Sequence, residues 1–92
     1  MRFRLVRICK GESISAIPQE IIRFDFHASA RNLKEQGYQV EDKEVMLIVR
    51  KDGLEVTAYV NGRLMLNPMN DKERAKVVAD GFYSLMIEEK ED

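Results

Sequence analysis

The sequence predicts an α+β two-layer sandwich, a single domain over residues 1–92. Its layers are an antiparallel sheet of about six strands and two helices packed on one face, in the order β-β-α-β-β-β-β-α. Three observations carry this reading. Two turn dipeptides, Asp52-Gly53 and Asn61-Gly62, separate runs rich in Val, Ile, Leu and Tyr, which is the pattern of consecutive hairpins. Ala75, Val78, Ala79, Phe82, Leu85 and Met86 recur at helical spacing behind a polar start. At 92 residues the chain is long enough for one small core and too short for two.

Taken in order, residues 2–9 alternate loosely and read as a strand, and "KGESISAIP", with its glycine, serines and proline, reads as a connection over 10–19. "EIIRFDF" alternates Ile22, Phe24 and Phe26 with Arg23 and Asp25, which predicts a strand at about 20–26. The rival, one helix over 18–36, puts Ile17, Ile21, Phe24 and Ala28 on one side and Ile22, Phe26, Ala30 and Leu33 on the other, with no single apolar stripe. A short helix at about 28–36 then ends at Gly37. "YQV" opens a strand, "EDKE" bends it, and strands follow at 45–50, 54–60 and 63–67. Asn70, with Glu73 three residues later, reads as a capping box for the last helix. Gly81 inside that helix calls for a close approach by the first.

The two faces of the predicted sheet differ. A two-residue turn at Asp52-Gly53 sets Val49 opposite Val56, Leu47 opposite Ala58 and Val45 opposite Val60; a slip of one residue would set Val49 against Glu55. A two-residue type I′ turn at Asn61-Gly62 sets Ala58 opposite Met65. One face is then Val45, Leu47, Val49, Val56, Ala58, Val60 and Met65, fit to receive the helices. The other is Met46, Ile48, Arg50, Glu55, Thr57, Tyr59, Leu64 and Leu66. A face open to water should be polar, and this one is largely apolar. It is expected to be covered by a second copy of the chain, a nucleic acid, another protein, or the chain's own first strand and 10–19 connection. Met46, Ile48, Tyr59, Leu64 and Leu66 are the expected contact residues of a non-catalytic interaction module that forms a homodimer.

Charge and composition narrow the other classes. Fifteen Lys and Arg against sixteen Asp and Glu leave a formal charge of −1, so no global field draws the chain to nucleic acid or an anionic membrane. At 34% charged residues, the surface is dense in ions of both signs. "MRFRLVRICK" holds Arg2, Arg4, Arg7 and Lys10 without an acid, and "IEEKED" is mostly acidic, so the end at 88–92 is expected to fray. No signal peptide and no run of ~20 apolar residues is present, which leads to the expectation of a cytoplasmic protein without a membrane partner.

Candidate chemistry is sparse. Asp25 and His27 stand two apart and could form a base with its orienting carboxylate. A helix start capped by Asp25 or Ser29 is the simpler reading of that pair. Cys9 and His27 are two ligands at most, which is no zinc site. Cys9, alone, has no intramolecular disulfide partner and reads as a small core residue. No cofactor, metal or catalytic residue is expected.

The stretch from Glu44 to Met86, with "AYVNGRLMLNP" leading into "NDKERAKVVADGFYSLM", resembles one half-repeat of the TATA-binding protein, and the chain is similar to small archaeal proteins of that fold. Tyr59 stands at the aromatic position, Gly62-Arg63 at the Gly-Lys turn, and Asp71 to Met86 at the long helix. The resemblance implies a helix-free face that binds nucleic acid, with Tyr59 as a wedge and Arg50 and Arg63 as contacts. With one half-repeat, a saddle takes two copies. The first strand, "RFRLVRIC", lacks the asparagine that reads the groove, so TATA-type sequence recognition is not implied.

Overall fold

A strand inserted second in the sequence is what gives the sheet its full width. The computed structural model describes residues 2–8 and 12–89. Its elements are β1 (Phe3–Ile8), β2 (Ser13–Pro18), α1 (Phe26–Glu35), β3 (Gln39–Asp42), β4 (Met46–Lys51), β5 (Leu54–Tyr59), β6 (Leu64–Asn67) and α2 (Lys72–Leu85). The six strands lie in the order β1-β2-β6-β5-β4-β3, with every neighbouring pair antiparallel. Both helices pack on one face, α1 over β3 and β4 and α2 over β1 and β2.

The predicted order of elements holds, but the second strand is not where the sequence placed it. Residues 13–18, read as part of a connection, form β2 between β1 and β6. Ile14 and Ala16 point into the core, which the flanking Ser13 and intervening Ser15 disguise in the sequence. The Ser15 hydroxyl donates to the Leu64 carbonyl at 3.0 Å, so this buried polar side chain is satisfied. Pro18 sits at the strand end, where a missing N–H does least harm. Residues 20–25 are not a strand. Phe24 alone makes a bridge, to Glu88, and its N–H donates to the Val60 carbonyl.

The helices begin and end for local reasons. The Asp25 carboxylate accepts the Ala28 N–H at 3.1 Å and caps α1. Gly37, at φ +91°, turns the chain out of it as expected. In α2 the cap is Asp71, one residue beyond Asn70; its carboxylate accepts from the N–H groups of Glu73 and Arg74. After α2 the chain runs back along 23–25. The Asp25 N–H donates to Ile87 O, the Glu89 N–H to Arg23 O, and Arg23 pairs with Glu89 at 2.8 Å. Glu88 and Glu89 are thus paired where a frayed end was expected; residues 90–92, like Cys9, lie outside the described part. Ser29 and Asn32 of α1 hydrogen-bond Ile87 and the Leu85 carbonyl, tying the two helices together at the end of α2.

The hairpins decide which side chains enter the core. Asp52 and Gly53 both take positive φ, and the expected register follows: Leu47 opposite Ala58, Val49 opposite Val56, Arg50 opposite Glu55. The next turn departs from expectation. Gly62 has φ +94° but Asn61 is not at positive φ, so it is not a type I′ pair. Instead the Gly62 N–H donates to Tyr59 O, and the Tyr59 N–H to Arg63 O. The loop therefore holds three residues, 60–62, and ends in a glycine at positive φ. That extra residue shifts β6 by one, to Ala58 opposite Leu64 and Val56 opposite Leu66. Leu64 and Leu66 are 0% exposed on the helix side, and Met65 takes the other face. Val45 leaves the core as well: Glu44, at φ +70°, turns the chain before β4, and Val45 is 66% exposed.

The same turn is anchored from behind. The Tyr83 hydroxyl donates to the Gly62 carbonyl at 2.6 Å, and its ring stands among those of Phe3 and Phe24. Burial pushes its pKa well above the usual tyrosine value. A Cβ at Gly62 would lie 2.6 Å from Ile22 Cδ1 and 2.9 Å from Pro18 Cγ. At Gly81 a Cβ would meet nothing, so close approach by α1 is not the reason for that glycine.

These two glycines should respond oppositely to alanine. Gly62→Ala is expected to cost roughly 2–4 kcal/mol, from strained φ and crowding. Gly81→Ala is expected to stabilise by up to ~1 kcal/mol. Urea unfolding of both variants measures the pair. Because the buried Tyr83 resists ionisation in the folded chain while the unfolded chain releases that proton above its ordinary pKa of 10.0, its contribution is constant below that pH and is lost above it. Stability should fall less steeply above pH 10 in Tyr83→Phe than in the parent, in unfolding curves taken at stepped alkaline pH.

Candidate interaction face

The corrected register places the helix-free side chains in three rows across the sheet. The middle row runs Glu41, Ile48, Thr57, Met65, Ser15, Val6, from β3 to β1. The row toward the 60–62 turn holds Met46, Tyr59, Arg63, Ile17 and Arg4. The row toward the Asp52-Gly53 turn is more polar, with Gln39, Arg50, Glu55, Asn67 and Ser13.

Of the five expected contact residues, Met46, Ile48 and Tyr59 lie on this face and are half-buried. Leu64 and Leu66 do not, for the register reason above. Met65, Ile17 and Val6 supply the apolar surface in their place. The sequence hid Ile17 because residues 10–19 were read as a connection, and the face of Val6 could not be assigned without the strand beside it; alternation of Ile14 and Ala16 with Ser13 and Ser15 was the available signal. Nor do residues 13–18 of that segment fold over this face: they extend the sheet. Val6 remains 38% exposed.

The charges around the apolar centre are specifically held. Arg50 reaches Glu55 at 3.0 Å and Glu41 at 3.7 Å, an exposed triad with one excess negative charge. Arg63 donates through Nε to the Ser15 hydroxyl at 2.9 Å, and that hydroxyl donates to Leu64 O. The arginine stem is thereby laid down beside Met65, and Ser15 is wholly buried beneath it.

The Asp25 and His27 pair sits elsewhere. Asp25 spends its carboxylate on the α1 cap, and His27 is exposed on α1. A shallow cavity of about 290 Å³ beside Asp25 is lined by Arg23, Phe26, Glu44, Val60 and Glu89, and His27 is not part of its wall. Among the described residues no group of three or more His, Cys, Asp or Glu side chains is placed to hold a metal ion. No helix among them is long and apolar enough to cross a membrane.

Neighbouring positions in β6 should tell the two faces apart. Leu64→Glu buries an unpaired charge and is expected to abolish the folded state, whereas Met65→Glu should change stability by less than about 1 kcal/mol. Circular dichroism with thermal melts reads the difference, and the type I′ register would have required the reverse.

Comparison with known proteins finds no matching family model, no matching curated protein and no matching solved structure.

Proposed function

We propose that this protein is a non-catalytic interaction module of the cytoplasm that self-associates as a homodimer through its helix-free sheet face. The observation that carries this reading is the apolar centre of that face, Ile48, Met46, Tyr59, Met65, Ile17 and Val6, set within a rim of charges of both signs. Apolar side chains gathered on one face of a sheet, opposite an already complete helical layer, are stabilised by a second apolar surface. Six strands about 4.8 Å apart and ~17–20 Å long present roughly 500 Å² per copy, which is the low end for a specific interface. The dimer is therefore expected to be concentration-dependent.

Nucleic-acid binding on the same face is the alternative attached to the TATA-binding-protein-like layout, which itself stays part of the proposal. It would use Arg50, Tyr59 and Arg63. Arg50 is already held by two carboxylates and Arg63 by Ser15, so self-association is the better-supported reading. Ile48→Glu is expected to weaken association at least tenfold while leaving the thermal melt of the dilute monomer nearly unchanged; light scattering over a wide concentration range measures it. Parent protein that stays monomeric throughout, and binds DNA or RNA with an affinity falling steeply with salt, would replace the homodimer with the alternative.

A further inference from the structure

We infer that β1 is a docking edge for an extended acidic segment of another protein, which joins the sheet as an antiparallel strand beyond β1. This surface is separate from the face of the proposed dimer. β1 is one of the two outer strands of the sheet. The Gln19 N–H donates to Arg2 O at 2.9 Å, which makes Arg2 and Gln19 a hydrogen-bonded pair of the β1–β2 ladder. Such pairs alternate along an antiparallel ladder, so Arg4 and Val6 also turn their main-chain groups to β2. Phe3, Leu5 and Arg7 turn theirs outward. Pro18, which has no N–H to give, stands opposite Phe3, in keeping with this alternation. Among the described residues no strand and no loop bonds the outward N–H and C=O groups of these three.

An open edge is a template for another strand, and short length, proline, bulges or charge commonly blunt it. β3, the other outer strand, is blunted by length: it holds four residues, and Glu44 turns the chain just beyond it at φ +70°. β1 runs for six residues without proline, and its register on β2 is unbroken. What it carries is charge of one sign. Arg2, Arg4 and Arg7 are exposed, and among the described residues none of them pairs with a carboxylate. Pairing β1 with β1 of a second copy would line the seam with guanidinium groups and no acid, which disfavours this chain as its own partner there. An acidic strand meets the opposite condition.

The arginines also fall on both sides of the strand. Leu5 pairs with Ala16 of the core, so Phe3, Leu5 and Arg7 lie on the helix side and Arg2, Arg4 and Val6 on the helix-free side. The partner strand is thereby specified. Opposite Arg7 through Arg2, in its own chain direction, it offers an acid, two apolar residues, an acid, an apolar residue and an acid. Each is a favourable cross-strand pair, while the main-chain bonds to Phe3, Leu5 and Arg7 supply affinity. A nucleic acid lying on the helix-free face would reach Arg2 and Arg4 but not Arg7, and its phosphates give no hydrogen bond to the outward carbonyls.

The test uses the full chain and a fluorescein-labelled synthetic peptide with the core Glu-Val-Val-Glu-Val-Glu, read by fluorescence anisotropy. Saturable binding is expected, weakened at least about tenfold by Arg4→Glu and by Arg7→Glu. Circular dichroism confirms that both variants are folded. Methylating single peptide amides separates strand addition from charge attraction. A methyl on the amide of the third core residue, which faces Leu5, should abolish binding; one on the second, whose N–H points away from β1, should leave it within about threefold. The same response to both methyls, equal binding of a peptide with the core scrambled, or no binding at all would overturn the proposal. Tighter binding of a thymidine oligonucleotide, lost in Arg4→Glu, would overturn it in favour of nucleic acid. Ile48→Glu, which breaks the proposed dimer, should leave peptide binding unchanged, so the two readings fail independently.

Discussion

The turn at residues 60–62 is the constraint on which the sheet depends. Gly62 takes φ +94° in a space that admits no Cβ, and its carbonyl is held by the Tyr83 hydroxyl. The turn sets the register of β6 on β5. β2 pairs with β6 through Ile14 opposite Leu66 and Ala16 opposite Leu64, and β1 takes its register from β2. Half of the sheet therefore inherits its inside and outside from one three-residue loop. Tyr83 couples that choice to α2: its phenol donates to the Gly62 carbonyl that the three-residue loop presents. A buried carbonyl left without that donor would cost about 1–3 kcal/mol.

A second set of contacts keeps both helices on one side. Phe24 receives the end of β5 through the Val60 carbonyl and the returning chain through Glu88. Ser29 and Asn32 take up groups at the end of α2 that no helical partner could satisfy. With the helices joined at that end, and α1 and α2 covering opposite edges of the sheet, the apolar side of every strand is accounted for. The apolar residues of the other face are what remains. In a chain this small, burying them adds measurably to a modest core.

What was legible in the sequence follows from which signals are local. The Asp52-Gly53 hairpin, its register, the Gly37 stop and the stripe along α2 each depend on residues within a few positions of one another, and the structure has them as expected. The fold class followed from the same features. The position of β2 did not, because its two core residues are separated by a serine whose polarity is offset by a distant partner: Ser15 bonds Leu64, 49 residues on. The face assignment of β6 failed for a subtler reason. "NG" serves both a two-residue turn and the end of a three-residue loop, and only the packing of Gly62 against Ile22, Pro18 and Tyr83 distinguishes them. Of the expected contact residues, Met46, Ile48 and Tyr59 on β4 and β5 lie on the helix-free face, and on β6 Met65 stands there in place of Leu64 and Leu66.

The turn also bears on how such a chain could diverge. Within the 60–62 loop, a change of residue type at an exposed position such as Asn61 alters one hydrogen bond, the one that the Arg63 N–H donates to Asn61 Oδ1. A change of length by one residue is a different event. It would carry Leu64 and Leu66 to the open face and Met65 into the core, and it would transmit the same inversion to β2 or break its pairing. Loop length at this point is thus a heritable switch between two assignments of the sheet's surfaces, and related chains that keep this fold are expected to vary the loop's letters before they vary its count.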